Sequence, residues 1–305
     1  PPRSTLFPYT TLFRSRVSSK NFDQKNFLRV TIDKSSGALV KLKDLIDQAV
    51  ILPRPPKPCA ETGNSVQACP PKLSKSDGWN PWISSFPSYL AVKIVLEKNV
   101  SVDIIDDLIN FEDLLKLSSI EHEIEFDLHE NSKLFYTCKL KPQLSLEYNQ
   151  AILQELSDSN LSLTKRLTFN LTGSNAHAKI RIRSLAVSSQ KFKFYTLQNH
   201  LHADTFSCLC LKNVLFDSAK IECDNKIKVH EDAFKSFANQ VNRNLIIGQN
   251  AHVISSPALE IENDDVKCKH GAVTKIIDEE QLFYLQNRGI HPVSAKKLMI
   301  KGFLN

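Results

Sequence analysis

The chain has 305 residues, 42% hydrophobic and 24% charged, with a formal net charge of +6 at pH 7. It is long enough to bury a core without disulfides, and it has no run of about 18 apolar residues that could cross a membrane as a helix. The charge is too mild for the footprint of a nucleic-acid binder. Eight glycines, against a usual share of about 7%, and the lack of GxGxxG or GxxxxGKS/T argue against a phosphate loop; no nucleotide site is expected on this chain.

Residues 1–15, PPRSTLFPYTTLFRS, resemble translated read-through of a sequencing adapter and are set aside. Position 1 is proline and the one methionine is Met299, so the chain reads as something other than a natural full-length product. Residues 16–87 are a poorly defined N-terminal region. Leu28, Val30 and Ile32 alternate as a strand would, and the run from Gly37 to Val50 suits strand or helix. Residues 53–87 hold eight of the 14 prolines and read as a linker. Cys59 and Cys69 lie in it and read as free surface thiols, with a metal or redox pair as the alternative. The seven cysteines are odd in number, irregularly spaced and without a CxxC pair. That predicts free thiols in a reducing compartment, the cytoplasm or, given the missing native N-terminus, an organelle stroma.

From residue 88 to 277 short alternating runs follow one another, among them EIEFDLHENSKLFY, AKIRIRSLAV, FSCLCL and ALEIE. Period-two alternation with β-branched and aromatic residues predicts strands, with a possible helix over Asn110 to Leu117. An irregular repeat runs through them: an apolar residue, then Asn, Asp or Ser three later, a small residue, and another apolar residue. It places candidate corners at Asn99, Asn131, Ser218, Asp232 and Asn250. Asn and Asp tolerate the left-handed backbone that a sharp corner needs. Corners 14 and 18 residues apart suit a parallel β-helix; an antiparallel sandwich has similar spacing.

Residues 278–305 form a C-terminal helical segment. Asp278 is placed to cap a first helix, Leu282 and Leu285 make its apolar face with Phe283 and Tyr284 beside them, and Arg288 and Gly289 end it. Pro292 opens a second helix. Its apolar side includes Val293, Leu298 and Ile300, with Lys296, Lys297 and Lys301 exposed.

The chemistry concentrates in ALEIENDDVKCKHGA, residues 258–272. On a strand Cys268 and His270 share a face, because side chains two apart point the same way. Lys267 and Lys269 then point to the other. Two ligands do not close a metal site, so a partner chain or a remote residue must complete it; a cysteine packed as a small hydrophobe is the plain alternative. Cys208 with Cys210, and His200 with His202, share the same spacing. For the cysteines core packing is the favoured reading.

DDVKCKHGA, followed by DEEQLFYLQNRGI and a helix ending in Gly302-Phe303, closely resembles the C-terminal signature of the SufB/SufD family, scaffold subunits of the SUF iron–sulfur cluster assembly system. The cysteine-containing form points to the SufD branch. NLIIGQNAHVISSPALEIE looks like the strand pair that precedes it, and residues 199–303 carry the resemblance. It implies a right-handed parallel β-helix and a cytoplasmic, non-catalytic scaffold. The partners implied are a SufB-type sister subunit in a heterodimer and the ATPase SufC. SufC would dock on the helical segment at Leu282, Phe283, Leu285, Arg288 and Gly289. Sulfur donor and acceptor proteins would be met indirectly, and neither nucleic acid nor membrane is expected as a partner. His270, with Cys268 beside it, would help to hold a nascent iron–sulfur cluster at the subunit interface. The sequence departs from the family at Lys269, where a small residue is usual, and in its missing tail after the Gly-Phe pair, so the terminal helix reads as truncated.

Two other classes remain at this point. A carbohydrate-active lyase or hydrolase on a β-helix needs clustered carboxylates along a groove, and adjacent Asp264 and Asp265 point apart. A nucleic-acid module would use Lys296, Lys297 and Lys301, which a solvated helix face explains as well.

Overall fold

In a computed structural model, residues 28–33, 39–43, 45, 89–109, 118–140 and 160–305 are described. The adapter-like segment, the proline-rich stretch with Cys59 and Cys69, and the possible helix at 110–117 lie outside them. The described strands are β1 (Leu28–Ile32), β2 (Leu39–Lys41), β3 (Tyr89–Leu96), β4 (Ser101–Asp106), β5 (Ser119–Leu128), β6 (Lys133–Leu140) and β7 (Ser162–Leu171). They continue as β8 (His177–Ala186), β9 (Lys191–His200), β10 (Phe206–Leu215), β11 (Lys220–Val229), β12 (Phe237–Ile246), β13 (His252–Ile261) and β14 (Lys267–Ile276). Two helices follow, α1 (Glu279–Asn287) and α2 (Pro292–Leu304).

Every described strand pairing is parallel. Odd-numbered strands form sheet A, in the order β1-β3-β5-β7-β9-β11-β13; even-numbered strands form sheet B, β14-β12-β10-β8-β6-β4-β2. The chain therefore alternates between two sheets and climbs one strand at each pass: a parallel β-solenoid. An antiparallel sandwich is excluded. β1 pairs with β3 in register Leu28↔Val92, so strands on both sides of residues 53–87 belong to one sheet.

The corners explain how so few glycines suffice. Where sheet A hands over to sheet B, Asn99, Asn131, Asn175, Asp204 and Lys235 all have φ between 56° and 61°. Their backbone N–H groups reach the next coil: Asn99 to Glu130, Asn131 to Ser174, Asn175 to Ala203. Asn131 Nδ2 donates to Asn99 Oδ1 at 3.1 Å and Asn175 Nδ2 to Asn131 Oδ1 at 2.9 Å, so the first three form a ladder. The expected corners at Asn99 and Asn131 are correct. At the others the left-handed residue is Asp217 rather than Ser218 and Lys235 rather than Asp232, and Asn250 is not left-handed. Gly173 is required by proximity: a Cβ there would lie 2.1 Å from the Glu130 backbone nitrogen.

Inward side chains fill the space between the sheets. Phe126 and Phe169 stack in parallel with centroids 5.0 Å apart, and Tyr136 meets both edge-on. Amid this apolar core lies a fully buried polar group. Lys165 Nζ pairs with Asp106, Tyr136 Oη donates to the same carboxylate, and Cys138 Sγ lies 3.5 Å from Lys165 Nζ. Burial alone would raise the Asp106 carboxyl, but the Lys165 charge and the hydrogen bonds from Lys165 and Tyr136 hold it below the usual range. Burial pushes the Cys138 thiol up to about 12.

Two buried histidines make stability depend on pH. Burial, reinforced by the Lys165 charge, lowers His122 to about 3, and neither ring nitrogen has a hydrogen-bond partner among the described residues. His200 is lowered to about 4 by burial; its ring meets Thr205 Oγ1 at 2.7 Å and Ser207 Oγ at 2.8 Å. In the unfolded chain both titrate near pH ~6.5. Between about pH 6.5 and 4 the unfolded chain thus binds up to two more protons, so stability falls on acidification by up to about 2.7 kcal/mol per pH unit. Urea midpoints measured across that window should shift accordingly, and His122→Leu should roughly halve the slope. A flat profile would contradict the neutral buried state of both rings.

Candidate functional site

β13 and β14 end their sheets, each hydrogen-bonded to a neighbour on one side among the described strands. The phase of alternation carries over from the coil before. In β11, Ile221, Cys223, Asn225, Ile227 and Val229 face inward, and their register partners in β13 are Val253, Ser255, Pro257, Leu259 and Ile261. Ile227 and Val229 are fully buried; Leu259 and Ile261, in equivalent seats, are 37% and 44% exposed. The last coil is a finished core face with nothing over it among the described residues. Uncovered apolar seats and strand edges of this kind are open to pairing and burial.

Cys268 and His270 lie on β14 and share its inward face, as expected. Their register partners are Ala238 and Gln240 of β12, both inward and buried. His270 is exposed and Cys268 half-buried. Cys268 packs beside Ala233 and Ala238, and burial raises its thiol, opposed by a hydrogen bond from the Ala238 backbone. Lys267 and Lys269 point outward and are exposed. Among the described residues no third His, Cys, Asp or Glu joins them in a metal-holding group. By donor count the pair is no more than half of a tetrahedral metal site, one thiol sulfur and one imidazole nitrogen on the same face of β14. Both donor types suit iron.

Beneath this half-site the interior changes character, a feature the sequence reading missed. Gln240, under His270, donates through Nε2 to the Asn225 carbonyl at 3.0 Å and accepts from Gln198 Nε2 at 3.3 Å. Asn213 Nδ2 reaches Asn242 Oδ1 at 3.2 Å and Asn244 Oδ1 at 2.8 Å, and Asn244 Nδ2 reaches Thr274 at 3.2 Å. Fixed side-chain amides hold the last coil by directional bonds instead of loose apolar contact. The available signal was phase: Gln240, Asn242 and Asn244 recur every second residue in a strand whose alternate residues face solvent.

One reading of paired residues is corrected. Cys208 and Cys210 are not core. Ser207, Leu209 and Leu211 take the inward phase, and both thiols lie half-buried on the outer face of sheet B. His200 and His202 do not converge, since His200 is buried on Thr205 and Ser207 while His202 is exposed in the corner.

The C-terminal segment folds back along sheet B. Asp278 Oδ1 accepts from the Glu280 and Gln281 backbones, capping α1. Gly289 has φ +83°, and bonds from Gly289 to Gln286 and from Ile290 to Leu285 close the helix in a Schellman motif. Pro292 opens α2. Ile300 and Leu304 of α2 pack on Leu185, Val214 and Leu245, and Arg183 Nε donates to the Leu304 carbonyl at 2.8 Å. Val293 and Leu298, expected on the buried side, face outward instead, because Ala295, Ile300 and Leu304 take the packing positions. Leu282 and Leu285 are half-buried, Arg288 stacks its guanidinium over Tyr284 at 5.1 Å, and Phe283, 64% exposed, projects with Tyr284, Val293 and Leu298. Four large apolar side chains thus stand exposed together on the helix pair.

These features define a class: a parallel β-solenoid that ends in a coil with exposed apolar seats and a pair of terminal helices. The chain belongs to the family described as SUF system FeS cluster assembly, SufBD core domain, which matches residues 84–303. It is similar to the iron–sulfur cluster assembly protein SufD of Escherichia coli, with 34% identity over 133 residues, covering 44% of this chain and 31% of that protein. It is also similar to a SufBD family protein of Synechocystis, with 33% identity over 34% of this chain and 23% of the relative. A third relative is the chloroplastic protein ABCI7 of Arabidopsis thaliana, with 38% identity over 30% of this chain and 19% of the relative. The chain thus aligns with about a third or less of the length of these relatives. No described helix is long and apolar enough to cross a membrane.

Proposed function

We propose that this chain is a SufD-like scaffold subunit of a SUF complex, working in the cytoplasm or an organelle stroma. Its open solenoid end pairs with a SufB-type sister subunit, and its helical pair holds the SufC-type ATPase. His270, with Cys268 beside it, supplies one side of a shared site in which a nascent iron–sulfur cluster is built as cargo, and ligands from the sister subunit supply the other. The chain catalyses no reaction of its own in this reading; ATP hydrolysis belongs to the ATPase. The carrying observation is that Leu259 and Ile261 lie uncovered in seats that are sealed one coil earlier, with the Cys-x-His pair on the same open end.

The test is anaerobic co-expression with a SufB and a SufC from one source, followed by affinity capture of this chain. A stable three-protein complex is expected. Ile261→Asp should release the sister subunit, and Leu298→Asp should release the ATPase by about tenfold or more in affinity while each spares the other contact. A folded chain that captures neither partner overturns the reading.

A further inference from the structure

The outer face of sheet B carries an unusual charge pattern. Among the described residues, none of the outward side chains of β6, β8, β10, β12 and β14 is a carboxylate. Lys179, Arg181 and Arg183 of β8 are joined by Lys212 of β10, Arg243 of β12 and Lys269 of β14. The register makes the pattern sharper. Lys139, Arg183, Lys212 and Arg243 are direct neighbours in four successive strands, and like charges opposite one another destabilise a sheet. Burial and the charges of Arg183 and Arg243 lower Lys212. Part of this row is answered within the chain: Arg183 bonds the Leu304 carbonyl at 2.8 Å and Lys212 lies 5.9 Å from the Phe303 ring. Lys139, Arg181, Arg243 and Lys269 have no carboxylate within ion-pair distance among the described residues. Sheet A differs in that several of its outward cations meet carboxylates on neighbouring strands, as Lys93 does with Glu125 and Asp127 and Lys228 does with Glu260 and Glu262, while Lys191 and Lys220 meet none among the described residues.

The pattern fits a protein better than a nucleic acid. Within the cations lies a neutral centre of Cys208, Cys210, Val241 and Gly271, which is the layout of a protein interface, apolar inside and charged at the rim. The aromatic rings at the edge, Phe206 and Phe237, stack on each other with an interplanar angle of 7°, so those faces are not offered to bases. A second copy of the same face is opposed by its own charge. Area supplies the remaining constraint. Five strands at about 4.8 Å spacing and seven residues at about 3.3 Å rise cover only about 550 Å². A stable interface takes about 800 Å² per partner. The nearest surface able to make up the difference is the exposed side of α2, whose buried side already packs on this sheet.

We propose that the outer face of sheet B and the exposed side of α2 form one continuous docking surface for a protein that presents clustered carboxylates. This rests on the reading above in naming that protein as the ATPase held by the helical pair. The cations bring the partner in and fix its register, and the helix supplies the apolar grip.

The experiment measures the affinity of the purified ATPase for the full chain, in the sister-subunit complex, at 50 and 300 mM salt. Lys179→Glu, Arg181→Glu and Arg243→Glu together should weaken association by about tenfold or more at low salt and flatten its salt dependence. The milder set Lys179→Gln, Arg181→Gln and Arg243→Gln should fall between, and Lys191→Glu with Lys220→Glu on sheet A should change neither. All are exposed positions, and an unchanged melting temperature checks the fold. If the Glu set leaves affinity and salt dependence unchanged while Leu298→Asp still releases the ATPase, the basic face takes no part and the helix reading survives. If the wild-type chain does not bind the ATPase at all, both fall. If the Glu set abolishes binding of a 20-nucleotide single strand but not of the ATPase, the face serves nucleic acid and the proposal is wrong.

Discussion

A complex carrying His270→Ala should assemble with its partners at wild-type affinity and mature its cluster about tenfold or more slowly. Even residues that only orient a metal ligand cost 10- to 100-fold when replaced, so removing a donor atom should cost at least as much. His270 is exposed and lies on Gln240, which satisfies itself through Asn225 and Gln198. Truncation therefore leaves no buried polar group unpaired, and the melting temperature should hold. The reading is anaerobic cluster formation followed by absorbance and iron content, with capture of the partners as the assembly check. Cys268→Ser is a useful companion, because Cys268 also packs on Ala233 and Ala238; a loss confined to stability there would assign it to packing. Normal maturation by His270→Ala would remove the ligand role.

Lys165→Met should destabilise the solenoid by about 3–5 kcal/mol, the cost of leaving a buried charge without its partner. Asp106 would keep the hydrogen bonds from Tyr136 Oη and the Leu108 backbone N–H and lose its only cation within ion-pair distance among the described residues. The compensated pair, Lys165→Met with Asp106→Leu, should recover most of the loss, since a well-packed apolar pair can replace a buried ion pair at little cost. Urea denaturation of the four proteins in the cycle measures both effects. A single variant within about 1 kcal/mol of wild type would mean that water reaches the pair.

The sequence carried a great deal at the level of single strands and turns. Period-two runs such as EIEFDL and KLFYTCKL became strands because every second residue is apolar enough to be buried, and the helix ends followed from Asp278, Gly289 and Pro292. Pairing Cys268 with His270 on one face required only the geometry of an extended chain. Errors arose where two assignments satisfy the same local rule. In FSCLCL either set of alternate residues is apolar, and the leucines took the core because Ser207 and Asn213 extend their phase into polar contacts with His200 and Ser184. At the corners, neighbouring Asp217 and Ser218 both tolerate a left-handed turn, so the position slipped by one. On α2 the buried stripe is set by where the helix lies on sheet B, which placed Ala295, Ile300 and Leu304 inside and left Val293 and Leu298 exposed.

By itself, then, the sequence determined the strands, the corners at Asn99 and Asn131, the two helices and the shared face of Cys268 and His270, because each depends on residues within a few positions of one another. Only the tertiary structure decided the rest. Lys165 meets Asp106 across 59 residues, the cations of five separate strands gather on one face of sheet B, and the coil bearing His270 comes last in its sheet with its core seats uncovered. Such relations arise from stacking coils, which brings together residues that no local pattern links.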